Sequence, residues 1–184
     1  AHRLARDHTD RVKSLAVIDI CPTMAMYRRT DMVFARASYH WFLFIQPPPL
    51  PETMLQAAGF DEVFNALARS TGGVGGFDAR ALREYRRCFD ARTVHAICED
   101  YRASAGIDLD HDAHDQGRKL AMPVLALWGL RGVVGTMFDC LAEWQAVAGN
   151  VRGQAIDCGH FVPEERPAET LAALQGFLAS VSSP

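Results

Sequence analysis

Two residues that follow strand-like segments could work as an acid–base pair. His160 comes after residues 152–158, which are typical of a short β-strand, and Gly159 allows a tight turn before it. Asp19 ends residues 15–18, an apolar run typical of a strand buried on both faces. A positioned histidine can act as a general base, and a carboxylate fixes its tautomer and stabilises the imidazolium. The sequence therefore predicts His160 as the base and Asp19 as its supporting acid.

Two alternative interpretations, another acid in place of Asp19 and a cysteine nucleophile beside His160, are weaker. An acid could instead follow the strand-like segment 123–129, but residues 130–135 contain no carboxylate. Cys158 could act as a nucleophile with His160, but two residues earlier on the same strand it would lie deeper than the histidine. Both observations favour Asp19 and His160.

Three aromatic residues in helical stretches offer hydrogen-bond donors. His40, Trp41 and Tyr101 carry an imidazole, an indole N–H and a phenol O–H. Their periodicity is also typical of side chains that fill a core. If the three donors face a dry pocket, they can stabilise a small departing anion. The residues alone leave both interpretations open.

The acidic stretch 108–115 resembles a metal site only superficially. Its aspartates and histidines match neither the spacing of a zinc site nor that of a calcium loop. We interpret it as a solvated linker, and residues 47–51, rich in proline, as a rigid loop. No metal and no cofactor is predicted.

An α/β architecture would position the candidate residues. Strand-like segments at 15–18, 123–129 and 152–158 alternate with helical patterns at 136–148 and 168–181, which predicts a parallel sheet with right-handed crossovers. Residues 21–118 break this alternation with helical stretches only, at 24–39, 52–60, 61–70, 79–89 and 93–105. We predict a core made of residues 1–20 and 119–184, with residues 21–118 inserted as a helical cap.

Composition excludes several classes of protein. The chain has 184 residues, 49% of them hydrophobic, and a net charge of −3, as is typical of a globular domain. This charge gives no reason to expect nucleic acid or an acidic membrane as a partner. Five scattered cysteines without a C-x-x-C pair indicate buried, reduced thiols. We therefore expect a cytoplasmic protein with a small-molecule substrate, and a homodimer is one assembly that we leave open.

Five stretches of the sequence together resemble the haloacetate (fluoroacetate) dehalogenases, which are α/β-hydrolases with a helical cap: residues 17–23, 40–41 with 46–51, 98–103, 125–129 and 158–165. In this fold the nucleophile precedes the acid, and the histidine comes last. The resemblance implies that an aspartate nucleophile displaces the halide from a haloacid and forms an ester. His160, oriented by Asp19, would activate the water that hydrolyses the ester, and His40, Trp41 and Tyr101 would hold the halide.

The resemblance also implies that parts of the enzyme lie outside this sequence. Residues 1–12 have a helical spacing without an N-cap, as expected of a chain that begins inside the helix that would follow the strand and turn of the nucleophile. We therefore expect an N-terminally truncated member that lacks the nucleophile, the adjacent substrate-binding arginines and the first strands. Such a chain would fold poorly and be inactive alone, and a sharp thermal transition of the isolated chain would contradict this.

Three further functions stay open beside the dehalogenase. An epoxide hydrolase or an esterase would use the same acid and base. An epoxide hydrolase usually offers tyrosines from its cap to protonate the epoxide oxygen, and the grouping of Tyr101 with His40 and Trp41 favours a halide instead. The third candidate is a catalytically inactive remnant, which would not be an enzyme at all.

Overall fold

A three-stranded parallel sheet is the centre of the computed structural model, which describes residues 1–71 and 73–182. The strands β1 (Leu15–Ile18), β2 (Val124–Gly129) and β3 (Val151–Ile156) lie in the order β1-β2-β3. Leu15 lies beside Val124 in the register, and Val124 lies beside Val151. This parallel arrangement confirms the predicted α/β class. Since every strand of a parallel sheet points the same way, the residues that follow β1 and β3 reach the same edge of the sheet.

Helices account for most of the remaining described residues, and none of them is both long and apolar enough to cross a membrane. Two 3₁₀ segments follow α5, at Ala68–Thr71 and Gly73–Gly76. In chain order the α-helices are α1 (His2–Asp7), α2 (Thr23–Arg28), α3 (Met32–Ala37), α4 (Tyr39–Phe44), α5 (Leu50–Leu67), α6 (Ala79–Cys88), α7 (Ala91–Ala105), α8 (Ile107–His114), α9 (Val133–Met137), α10 (Cys140–Val147), α11 (Val162–Glu165) and α12 (Pro167–Ser182).

Different helices cover the two faces of the sheet, which explains the continuous apolar runs of the strands. On one face, Val124 and Ala126 of β2 belong to a buried cluster with Trp144 of α10. On the other face, Leu127 belongs to a cluster with Phe177 of α12. Because successive side chains of a strand point to opposite faces, β2 needs apolar residues at every position.

Several helices are shorter than the sequence periodicity predicts, because polar caps interrupt them. The predicted helix 24–39 is divided, and the Asp31 carboxylate accepts a hydrogen bond from the Phe34 N–H (2.8 Å) to begin α3. The predicted helix 136–148 is divided in the same way by Asp139, which caps α10 at the Ala142 N–H (3.0 Å). Conversely, α5 joins two predicted helices across a kink at Gly59, whose φ is 80°.

The stretch 108–115 is a helix and not the predicted linker, although no residue of this helix is buried, as the prediction of a solvated segment implies. These residues form α8, whose first turn holds Asp108 and whose last turn holds His114, an order that suits the helix dipole. The following Asp115 is only 4% exposed and accepts hydrogen bonds from Arg3 (2.7 Å) and Arg118 (2.5 Å). The acidic stretch is therefore a helix whose end is fixed to α1 by a buried ion pair.

All five cysteines are unpaired. Four of them are buried, in agreement with the expectation of reduced apolar thiols, whereas Cys88 at the end of α6 is exposed.

Candidate active site

The structure joins the two residues that were predicted as acid and base. His160 Nδ1 lies 2.5 Å from Asp19 Oδ2, although 141 positions separate them in sequence. The Asp19 side chain is 1% exposed and the His160 side chain is 53% exposed. A buried carboxylate on one ring nitrogen fixes the imidazole and leaves its other nitrogen, Nε2, to exchange a proton.

The end of β2 holds the Asp19 carboxylate in place. Asp19 has a positive φ of 51°, a conformation that turns the chain sharply after β1. Its N–H donates to the Leu127 carbonyl (2.7 Å), and its Oδ1 accepts from the Gly129 N–H (2.9 Å). With Oδ2 on His160, both carboxylate oxygens are therefore hydrogen-bonded.

The turn that carries His160 is fixed by Glu165, a residue for which the sequence predicted no role. Glu165 Oε2 accepts from the Gly159 N–H (2.8 Å), and Oε1 accepts from the Phe161 N–H (3.2 Å). One carboxylate thus holds the backbone on both sides of the histidine. In the sequence, nothing distinguishes Glu165 from Glu164, because the distinction depends on how α11 folds back onto the turn.

Two glycines allow the same turn to approach β2. A side-chain carbon on Gly129 would lie 1.8 Å from the Gly159 carbonyl oxygen, so only glycine fits at this position. A side-chain carbon on Gly132 would lie 3.2 Å from Asp19 Oδ2. The loop after β2 therefore needs small residues to lie against the acid and the histidine turn.

The three aromatic donors come together on two packed helices. His40 and Trp41 lie on α4, and Tyr101 lies on α7. The Tyr101 ring centroid is 6.0 Å from that of His40 and 5.9 Å from that of Trp41, both in edge-to-face contacts. Trp41 also packs edge-to-face on Phe34 at 5.8 Å, which anchors α4 to the core.

Burial keeps two of these donors uncharged at neutral pH. It lowers the pKa of His40 to about 4, with a smaller contribution from the charge of His160. It raises the pKa of Tyr101 to about 12, and Tyr27 and Asp100 act in the same direction. With the indole of Trp41, these groups can donate hydrogen bonds to an anion without carrying a charge themselves.

All five predicted residues line one cavity of about 470 Å³. It lies between the carboxyl ends of the strands and the helical residues that follow β1. Two cationic residues that the sequence analysis did not identify, Arg36 and Arg69, also line it. Only their position in space distinguishes them from the other arginines of the helical segment.

Cys158 is not part of this site. It is fully buried in the second core cluster, and it does not line the cavity. Burial raises the pKa of its thiol to about 11, so it stays protonated at neutral pH. These features agree with the preference for His160 and Asp19 over a Cys–His pair.

One cluster has the residue types of a metal site, on α5 and α7. Ligand atoms of Glu52, His95 and Glu99 lie within 4.8 Å of one another. Arg102 already pairs with both carboxylates, since its guanidinium donates to Glu52 (2.8 Å) and to Glu99 (2.5 Å). The cluster is an ion-pair network that links the two helices.

Comparison with known proteins agrees with this geometry. A solved structure from Nostoc sp PCC 7120, assigned to the α/β hydrolases, superposes with a TM-score of 0.87 at 49% identity, over 96% of this chain and 61% of that one. This chain has the α/β-hydrolase fold.

Two hydrolases are similar to this chain in sequence. The fluoroacetate dehalogenase of Burkholderia sp is 37% identical over 185 residues, which is 99% of this chain and 60% of that protein. This homology confirms the resemblance predicted from the sequence. The soluble epoxide hydrolase of Corynebacterium sp. (strain C12) is 45% identical over 88 residues, which is 47% of this chain and 29% of that protein. No protein-family model matches the chain. The chain spans about 60% of the length of its fluoroacetate dehalogenase relative.

Proposed function

We propose that this chain supplies the base, the supporting acid and the halide site of a hydrolase that cleaves the carbon–halogen bond of a 2-haloacid. One observation carries the proposal. The His160–Asp19 pair and the three aromatic donors line the same cavity. A base and a set of neutral donors in one cavity are what displacement of a halide followed by hydrolysis requires.

The first step of the proposed reaction forms a covalent ester. A carboxylate oxygen of an aspartate that these 184 residues do not include attacks the carbon that bears the halogen. The carbon–halogen bond breaks, and its electron pair leaves with the halide. No proton moves in this step, so the halide needs hydrogen-bond donors rather than an acid.

The second step uses His160 and Asp19. A water molecule attacks the carbonyl carbon of the ester, and His160 Nε2 takes a proton from that water. Asp19 holds the imidazole at Nδ1 and stabilises the positive charge that the ring gains. The ester then breaks at its acyl–oxygen bond, and the remaining proton of the attacking water passes to the leaving alkoxide. The imidazolium releases its proton to solvent. These steps return the aspartate as a carboxylate and release a hydroxyacid, glycolate in the case of a haloacetate.

His40, Trp41 and Tyr101 form the proposed halide site. Neutral donors bind a halide less tightly than a cation would, so the ion can leave after each turnover. Residues 21–118 would act as the cap that brings these donors over the core, which consists of residues 1–20 and 119–184. The unpaired thiols support a reducing compartment, and we propose the cytoplasm.

An epoxide hydrolase is the second candidate, because the Corynebacterium epoxide hydrolase is a relative over 47% of the chain. Opening an epoxide leaves an alkoxide, which must receive a proton. In the cavity Tyr101 has an O–H for that purpose, whereas the indole of Trp41 can only donate a hydrogen bond. The presence of Trp41 beside Tyr101 therefore favours a halide as the leaving group, because a halide needs hydrogen bonds but no proton. Neither an esterase of the same fold nor an inactive remnant would need such a set of donors.

Halide release tests the proposal. The full-length protein that contains these residues is incubated with fluoroacetate and chloroacetate, and with an epoxide and a p-nitrophenyl ester for comparison. We expect halide release that His160→Ala prevents beyond one turnover and that Trp41→Phe slows. Turnover of the epoxide or the ester alone would replace the proposal with that activity, and no turnover of any substrate would identify an inactive protein.

A further inference from the structure

The mouth of the active-site cavity has two arginines that neither the fold nor the proposed chemistry explains. Arg36 lies in the last turn of α3, and Arg69 lies in the 3₁₀ segment that follows α5. Both side chains are exposed, and both line the cavity. Exposed residues that line a cavity lie where it opens to solvent, so the two guanidinium groups flank the entrance.

Neither arginine has a carboxylate partner among the described residues. Within the ranges 1–71 and 73–182, none of the ion pairs includes Arg36 or Arg69. Their positive charge is therefore available to a ligand.

The charge of the cavity is opposite to that of the whole protein. The chain has a net charge of −3, whereas its cavity is lined by two arginines and one carboxylate, that of Asp19. His40 is uncharged at neutral pH because burial lowers its pKa to about 4. A concave surface with an excess of one charge concentrates ions of the other sign and raises their rate of entry.

We infer that Arg36 and Arg69 form an entry site for small carboxylates, which captures the anionic substrate before it reaches His160. This inference rests on the proposed function and deepens it, because it identifies residues that select an acid over a neutral substrate. Guanidinium groups suit this role, since each can offer two parallel N–H donors to a carboxylate. An entry site affects the capture of substrate and not the chemical steps that follow.

Binding of acetate to the full-length protein tests the entry site without any need for turnover. Acetate carries the carboxylate of a haloacetate but has no halogen to lose, and acetamide has the same shape without the charge. Calorimetric titrations would compare the wild type with Arg36→Gln, Arg69→Gln and the double variant. Arg83→Gln is the control, because Arg83 is exposed on α6 and does not line the cavity.

We expect acetate to bind about tenfold more weakly to the double variant, as is typical when a steering charge is removed. Added salt should weaken binding to the wild type more than to the double variant. Acetamide binding and the control should not change. Equal acetate affinity in the wild type and the double variant, or an equal loss for acetamide, would overturn the inference. Melting temperatures of all variants exclude unfolding as the cause.

The kinetics of halide release separate this inference from the proposed function. If chloroacetate is a substrate, the double variant should raise KM about tenfold and leave kcat unchanged. Halide release with an unchanged KM would refute the entry site and leave the dehalogenase intact. Arginine-dependent acetate binding without halide release would refute the dehalogenase and support the carboxylate site.

Discussion

The end of β2 meets the histidine turn at Gly129 and Gly159, where a side-chain carbon on Gly129 would lie 1.8 Å from the Gly159 carbonyl oxygen. The N–H of the same Gly129 donates to Asp19 Oδ1 (2.9 Å). A single glycine thus fixes the distance between the acid and the base, since it bonds to one and contacts the turn that carries the other.

Replacement of this glycine should therefore harm both stability and activity. We expect Gly129→Ala to reduce the free energy of unfolding of the full-length protein by about 1–3 kcal/mol, because the turn must move away from β2. Halide release should fall as His160 loses its position. Gly176→Ala is the matched control, since nothing lies within 4 Å of its added carbon in α12, and it should stabilise slightly. Urea unfolding measures the free energy of unfolding of both variants. Equal changes in Gly129→Ala and Gly176→Ala would contradict the close contact between Gly129 and Gly159.

The charge of Asp19 can be tested apart from its shape. Asp19→Asn can keep the bond from the Gly129 N–H but gives His160 an uncharged partner, which no longer stabilises the imidazolium. We expect kcat to fall about 10⁴-fold, as is found when a triad acid becomes an amide, with little change in the melting temperature. Steady-state kinetics check this, and a loss smaller than tenfold would mean that Asp19 does not support the base.

The covalent intermediate provides a test of His160 itself. In His160→Ala the first step of the proposed reaction remains possible, whereas the ester cannot be hydrolysed. We expect one equivalent of halide per active site in a rapid burst and no further release. Mass spectrometry should find the protein heavier by the alkyl group of the substrate, which is a carboxymethyl group in the case of a haloacetate. Continued turnover, or halide release without a covalent adduct, would contradict the two-step mechanism.

Glu165 should act as a positioning residue. Its carboxylate accepts from the N–H groups of Gly159 and Phe161, on either side of the histidine. Glu165→Ala should lower kcat about tenfold or more, because misplacement of a catalytic group slows the reaction. Glu165→Gln should recover part of the lost kcat. Glu169→Ala is the control, since Glu169 is exposed and pairs only with Arg166 (3.6 Å). A purely structural role would change the melting temperature without this recovery of kcat.

Burial of His40 predicts a loss of stability in acid. Because the folded-state pKa of His40 is about 4 and its ordinary value is 6.5, the unfolded protein binds more protons between these values. Stability is therefore fully present above pH 6.5 and decreases as the pH falls towards 4, by on the order of 3 kcal/mol from this residue. His40→Gln cannot titrate, so the difference between its unfolding free energy and that of the wild type should change over this range. A constant difference would show that His40 is not desolvated.

The sequence predicted an element correctly where a local pattern of residues is sufficient to define it. Apolar runs located β1 and β2 correctly, because strands buried on both faces need an apolar residue at each position. The prediction of a linker at 108–115 was wrong, because the density of aspartate suggested an irregular segment, whereas these residues form α8 and an ion pair with Arg3 buries Asp115 at its end.

Apart from α8, the longer helices were predicted as elements, but their limits were not. Asp31 and Asp139 end predicted helices early by capping the next ones, and Gly59 bends a helix that the sequence divides. Such choices depend on which of two competing hydrogen bonds the packed chain can satisfy, so the residues alone do not decide them.

The parallel α/β class and the candidates Asp19, His160, His40, Trp41 and Tyr101 could be predicted from residue types and their order along the chain. This was possible because strand ends and donor groups can be recognised from local residue types. The packed fold was needed to find that these side chains share one cavity, that Glu165 holds the histidine turn, and that Arg36 and Arg69 lie at the mouth of the cavity. These relationships join helices and strands that are far apart in sequence, and their distances are set by how the helices pack on the sheet, which no local pattern records.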